Sequence, residues 1–179
     1  QGRQDSLDAA FHRVDDFHGV RAGLLPHQQR DGGLAIQARQ VAGFDEAIIL
    51  NQQGYVCEGT GENLFIYRGG RLATPPLEDN VLPGITRDSV ITLARNELGM
   101  EVMERHIRRS ELYQADEVFL TGTAAHLTPV GSLDNLLIGD GTEGPVTRRL
   151  SELYFDIVRG KNPKYLHWCT AATPKLVSA

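Results

Sequence analysis

The chain has 179 residues, a net charge of −5 at neutral pH, a pI near 5.7 and 41% hydrophobic residues. That is enough for one domain with its own core, and the acidic balance argues against a nucleic acid or an anionic membrane as partner. No apolar run approaches the ~20 residues that span a bilayer and no signal-peptide core is present, while Cys57 and Cys169 fit neither a disulfide framework nor a zinc pattern, so a reducing, cytoplasmic setting is expected.

Residues 1–33 read differently from the rest. They hold His12, His18 and His27, five aspartates and no glutamate, and lack Ile, Thr, Asn, Tyr and Lys. A short helix over Ser6–Val14 has no cap or sustained period behind it. His12 and His18 near Asp15 and Asp16 make a weak metal set; the plainer expectation is a disordered or poorly packed segment, with no metal bound.

From Leu34 the pattern is that of a folded domain. Leu34–Arg39 is a helical run, Ala47–Leu50 a buried strand, and Asn51–Gly54 a turn into a second strand at Tyr55–Cys57, with Glu58 at the end of that hairpin. Leu64–Tyr67 and Leu72–Thr74 form another hairpin around Gly69-Gly70, and Pro75-Pro76 forces an irregular path. A helix follows over Asp88–Leu98, capped by Thr86, with Val90, Ile91, Leu93, Ala94 and Leu98 on its apolar face and Gly99 as its stop. Glu101–Arg105 alternates as a strand, Arg109–Tyr113 suggests a short helix, and Glu117–Thr121 is a strand running into Gly122-Thr123-Ala124-Ala125. A last helix opens at Gly144-Pro145 and runs to Arg159, with Val146, Leu150, Leu153, Tyr154 and Ile157 on one face. Residues 169–179 read as a tail.

Two blocks bear the chemistry. Glu58-Gly-Thr-Gly-Glu62-Asn63-Leu-Phe65 puts two carboxylates and an amide around two glycines, which let the backbone bend and be approached closely. Leu82-Pro-Gly84-Ile85-Thr86-Arg87 ends an extended run and opens a helix, whose free N–H groups suit a phosphate. Gly122–Ala125 is a second candidate anion nest. Each has a bland counterpart: a strand-end glutamate in a surface ion pair, an ordinary capped helix, a small-residue turn. Glu62 and Asn63 are expected to orient the loop, and Arg87 to form a structural salt bridge. His126 reads as a loop histidine and Cys57 as a buried small residue. A paired-carboxylate glycosidase built on Glu58 and Glu62 explains neither later turn.

Together these blocks, with Leu72-Ala-Thr74 between them, resemble the signature of the class IV aminotransferases, the fold-type IV pyridoxal-phosphate enzymes, and most nearly their branched-chain amino acid branch. The similarity runs from about Leu34 to about Trp168. The resemblance implies a mixed α/β domain, the larger C-terminal one of the family, with an antiparallel barrel-like sheet and flanking helices spanning residues 34–168. It implies pyridoxal 5′-phosphate, a homodimer, and transfer of the amino group of leucine, isoleucine or valine to 2-oxoglutarate. It places Glu58 at the pyridine nitrogen, Leu82 on the ring, Gly84, Ile85, Thr86, Gly122 and Thr123 at the cofactor phosphate and its surroundings, and Thr123, Ala124 and Ala125 at the substrate.

The family's Schiff-base lysine, counted back from Glu58, falls near Leu24. No lysine is there, and the first in the chain is Lys161. The resemblance therefore implies an inactive fragment lacking its N-terminal domain, with residues 1–33 arising from a frame slip or a mis-joined reading. The alternatives are a non-catalytic, phosphate-binding or dimerising pseudoenzyme module, or a relative acting in D-amino acid transamination or aminodeoxychorismate lysis. The ending Gly160–Trp168 disfavours these last two activities.

Overall fold

The computed structural model describes residues 19–25, 40 and 42–170. Among the described residues nine strands follow in chain order: β1 (Val20–Leu25), β2 (Glu46–Leu50), β3 (Val56–Glu58), β4 (Asn63–Arg68), β5 (Arg71–Thr74), β6 (Glu101–Glu104), β7 (Glu117–Gly122), β8 (His126–Leu133) and β9 (Leu136–Leu137). Helices α1 (Ile85–Glu97), α2 (Arg109–Leu112) and α3 (Pro145–Val158) and 3-10 turns at Leu77–Asp79 and Pro163–Trp168 accompany them. Pairing runs β3-β2-β1-β8-β7-β4, and β4 returns to β3, so six strands close a barrel. β5 and β6 extend the sheet from β4, and β9 from β8. β1 lies parallel to both β2 and β8, and β5 is parallel to β6; the other pairings are antiparallel. The result is the mixed α/β domain with a barrel-like sheet that the motifs implied.

Strand alternation divides the apolar side chains between two cores. Ala22, Ile48, Val56, Leu64, Ile66, Val118, Leu120, Val130 and Leu133, drawn from all six barrel strands, fill the interior. Phe65 and Phe119 point the other way and stack with centroids 5.1 Å apart beneath α1 and α3. There they meet Val90, Ile91, Leu93 and Ala94 of α1 and Leu150 and Ile157 of α3, the faces read from the 3.6-residue period. Each such side chain taken from water contributes about 1.5–3 kcal/mol.

The structure differs from the sequence-based expectation at several places. Residues 1–33 are not uniformly unpacked, because β1 completes the barrel and Ala22 is fully buried inside it. Its backbone passes so close to β8 that a Cβ on Gly19 would collide with Gly131. Six residues without strict alternation carry no periodic signal for a strand. The Ser6–Val14 helix, the His12–Asp16 metal set and the Leu34–Arg39 run lie outside the described residues. α1 starts at Ile85 with Gly84 as its N-cap, so Thr86 belongs to the first turn and does not cap it. Gly99 ends the helix as expected, at φ +61°. β8 runs on to Leu133 and turns through Asp134 and Asn135, both at positive φ, into β9, a hairpin that went unread.

Candidate functional site

The loop Gly59–Glu62 joins β3 to β4 and is closed by Gly59 N–H donating to Glu62 O at 2.7 Å. Its flanks, Glu58 and Asn63, face each other across the two strands. Asn63 is buried, and its Nδ2 donates to Leu82 O at 2.8 Å and to Glu58 Oε2 at 3.4 Å. Glu58 Oε2 also accepts the Leu82 N–H at 3.0 Å. The acid is therefore fastened to the backbone of the second block and does not point into bulk water. Gly84 lies against the Asn63 amide, where a Cβ would collide with Asn63 Oδ1. The two blocks, twenty-odd residues apart in sequence, meet at Leu82.

α1 leaves this joint with a glycine N-cap and no side-chain cap bond. Its first N–H groups have no partner within the helix, and the macrodipole makes that end an attractive place for an anion. Ile85 is 85% exposed and Leu82 65%, so two apolar side chains stand uncovered beside those amides, while Thr86 is buried. Arg87 turns inward and donates through Nη2 to Pro75 O at 3.1 Å and Glu104 Oε2 at 3.0 Å, the structural salt bridge expected of it.

The second turn is the β7–β8 hairpin, with Gly122 paired to His126 and Thr123–Ala125 as its loop. Thr128 Oγ1 donates to Ala125 O at 2.7 Å and closes it. A Cβ on Gly122 would lie 3.3 Å from Glu62 Cγ and from Gly61 O, so the turn abuts the Gly59–Glu62 loop. Asn63 pairs with Thr121, one residue before Gly122, which roots both turns at the head of β4. His126 takes φ +55° and sets its ring against Phe155 of α3 at 5.1 Å, as a packing residue of the loop. Glu58, Leu82 and Gly84 are thus in one contact set, and Ile85 and Thr86 start the helix that leaves it. Gly122 joins through Gly61 and Glu62, with Thr123, Ala124 and Ala125 following on the same turn.

A carboxylate, an uncapped helix N-terminus and an exposed apolar flank fit a phosphorylated, nitrogen-containing ring. They do not supply an amine. Lys164 Nζ is bound to Glu97 Oε1 at 2.6 Å, at the far end of α1, about 20 Å of helix from Ile85. Lys161 follows α3 at its C-terminal side, and Lys175 lies outside the described residues. The position counted for the lysine, Leu24, lies in β1, where its N–H donates to Asp134 Oδ1 at 3.0 Å. Clefts of about 680 Å³ at Tyr55, Arg108, Arg109 and Tyr113, and about 350 Å³ at Asp116, Glu117, Ile138 and Thr147, lie apart from Glu58 and both turns.

Two features lie beyond the motifs. Asn63 is a bridge between blocks and does more than orient its own loop. Glu46, buried at the start of β2, accepts from Thr60 of the Gly59–Glu62 loop. A single glutamate before an apolar run carries no sequence signal for that. Cys57 is buried as expected and donates to Asp79 O at 3.0 Å. No helix among the described residues is long and apolar enough to cross a membrane, and none of their acidic, His and Cys side chains group to hold a metal.

A family model described as amino-transferase class IV matches residues 31–133. A probable branched-chain-amino-acid aminotransferase of Aquifex aeolicus is 54% identical over 178 residues, covering 90% of this chain and 57% of that protein. The branched-chain-amino-acid aminotransferase of Escherichia coli K12 is 48% identical over 161 residues, 87% of this chain and 52% of its own length. Among solved structures, the branched-chain amino acid aminotransferase of Thermobaculum terrenum in PLP form has a TM-score of 0.82 at 38% identity, covering 89% of this chain and 57% of that one. The branched-chain aminotransferase of the archaeon Thermoproteus uzoniensis with norvaline has a TM-score of 0.78 at 42% identity, covering 87% and 56%. The chain spans little more than half the length of these relatives. A match over 90% of the chain exceeds the 146 residues that remain after the first 33 of 179, so it takes in part of the stretch before Leu34. With the family model covering more than half of it and the solved structures sharing its fold, this chain belongs to the class IV aminotransferase family.

Proposed function

We propose that this chain is the larger domain of a branched-chain amino acid aminotransferase and that, as it stands, it holds pyridoxal 5′-phosphate without a covalent bond. The observation that carries the reading is the joint at Leu82, where the Glu58 carboxylate is fixed beside an uncapped helix N-terminus. Glu58 keeps a proton on the pyridine nitrogen, because a nearby negative charge favours the cationic ring. The Ile85 and Thr86 amides, with the Thr86 and Thr123 hydroxyls, take the phosphate. Leu82 covers one face of the ring, and Gly84 and Gly122 let the Asn63 amide and the Gly59–Glu62 loop pack against the two turns that hold it. The Ala124 and Ala125 amides take the substrate carboxylate. When bound, the cofactor supplies the electron sink for loss of the α-proton from leucine, isoleucine or valine, with 2-oxoglutarate as the final amino acceptor. A proton-carrying lysine has no counterpart among the described residues, so this chain should not transaminate at a useful rate. The complete enzyme is proposed to be a cytoplasmic homodimer.

Pyridoxamine 5′-phosphate needs no lysine and makes the cleaner probe. It should bind saturably, and Glu58→Gln should weaken it on the order of tenfold. Pyridoxal 5′-phosphate followed by borohydride should leave no covalent label that pyridoxamine 5′-phosphate competes away. A competed label would overturn non-covalent binding, and failure of both probes to bind would remove the cofactor assignment. The missing lysine favours a second reading, a binding module that is not catalytic. Supplying the upstream part of the family's chain in its lysine-bearing form separates the two: transamination should return only under the first.

A further inference from the structure

Glu46 is 5% exposed at the first position of β2, in register with Ala22 of β1. Its Oε1 accepts from Ala47 N–H at 2.7 Å, Thr60 N–H at 3.1 Å and Thr60 Oγ1 at 2.7 Å. A buried carboxylate is costly unless its oxygens are bonded, and here two of those bonds come from one residue of one loop. That loop, Gly59–Glu62, contains two glycines in four positions and is intrinsically loose. Its two ends are Glu58 and Asn63, the residues that meet at Leu82. On the opposite side, Gly61 and Glu62 abut Gly122 of the second turn. The loop is thus clamped between a barrel strand and the anion turn, and Glu46 with Thr60 forms the strand-side jaw.

We propose that Glu46 is a positioning residue of the site: through Thr60 it fixes the β3–β4 loop, and with it the aim of the Glu58 carboxylate. The inference rests on the reading of Glu58 as partner of the ring nitrogen. It is tested on the chain as it exists by titrating pyridoxamine 5′-phosphate into the parent, Thr60→Ala, Thr60→Ser, Glu46→Gln and the Glu46→Gln/Thr60→Ala double variant. Affinity is followed together with the pH at which the absorbance of the bound ring reports loss of its nitrogen proton. Thr60→Ala and Glu46→Gln should each weaken binding about tenfold. Both should move the ring titration to lower pH, since a misaimed Glu58 stabilises the cationic ring less. Thr60→Ser should keep parental values, and the double variant should be no worse than the poorer single one. A role confined to stability would lower the unfolding midpoint and leave the ring titration of the folded fraction where it was, which would overturn the inference, as would strictly additive losses. Thr60 is only half-buried, so its alanine variant keeps the test open if Glu46→Gln does not fold. If the parent binds no probe, the reading of Glu58 falls and this inference with it. If the parent binds, Glu58→Gln weakens it and Thr60→Ala does not, the role of Glu46 alone is refuted.

Discussion

Gly84 has a φ of −73°, which any residue can adopt, yet it has no room for a methyl because the Asn63 amide occupies that space. The glycine is there for close approach and not for flexibility, and the two motif blocks meet through it. Gly84→Ala should lower stability by about 1–3 kcal/mol, read as a shift in the urea midpoint. Combining it with Asn63→Ala should cost less than the two singles added, since the second change removes the atom the methyl strikes. Additive losses would mean that the strain lies elsewhere. At this scale the motif residues Glu58, Leu82, Gly84 and Gly122 were legible, because glycine and proline mark the turns and the acid sits between them. The hydrogen bonds from Asn63 to Leu82 and from Thr60 to Glu46 span 19 and 14 positions, and only the closed barrel brings those partners together.

α3 shows the same division one level up. Its buried face followed from the spacing of Leu150 and Ile157, but its N-terminus is held from outside. The buried Glu117 of β7 accepts from Val146 N–H at 2.9 Å, Thr147 N–H at 2.8 Å and Thr147 Oγ1 at 2.6 Å. Gly144 leaves room for it, since a Cβ there would collide with the Glu117 side chain. Glu117→Ala orphans those donors and should cost about 2–3 kcal/mol in thermal or urea unfolding, with no loss expected if the helix were capped locally. At the other end of the domain, Lys164 Nζ and Tyr165 OH each donate to Glu97 Oε1 at 2.6 Å, which holds the last 3-10 turn on α1. The Lys164 bond first, and the Tyr165 bond after it, hold the Glu97 carboxyl below its usual value of 4.5. Because the folded value is the lower one, this contribution is fully present above about pH 4.5 and is lost as pH falls through the lowered value. Trp168, the chain's one tryptophan, packs on Tyr165 with centroids 4.6 Å apart. Its fluorescence should change in that acid window, and the step should disappear in Glu97→Gln.

The whole barrel depends on six residues that carry little local signal. Without β1, β2 and β8 would present open edges to each other, and the interior around Ile48, Val130 and Leu133 would be open to water. Asp134 helps hold the strand, accepting from Leu24 N–H at 3.0 Å, Tyr113 OH at 2.6 Å and Arg109 Nη2 at 3.0 Å. A charge at the fully buried Ala22 should therefore unfold the domain. Ala22→Asp is expected to cost on the order of 4 kcal/mol or more by urea denaturation. Arg21→Ala, which removes an exposed ion pair with Asp45, should shift the midpoint by no more than about 0.5 kcal/mol. An Ala22→Asp protein as stable as the parent would place this strand outside the barrel.

Read alone, the sequence determined the order of most strands and helices, the apolar faces of α1 and α3, and the three glycine-marked blocks of the candidate site. These are local properties: a period of two or 3.6 residues, a helix stop, a turn that needs glycine. It also showed that no lysine precedes Lys161 within these residues. Tertiary structure alone decided that β1 closes the ring, that Asn63 ties two blocks through Leu82, and that Glu46 and Glu117 are buried as anchors for a loop and a helix. Those depend on which backbone donors a closed sheet leaves beside each acid. Sequence spacing does not encode that.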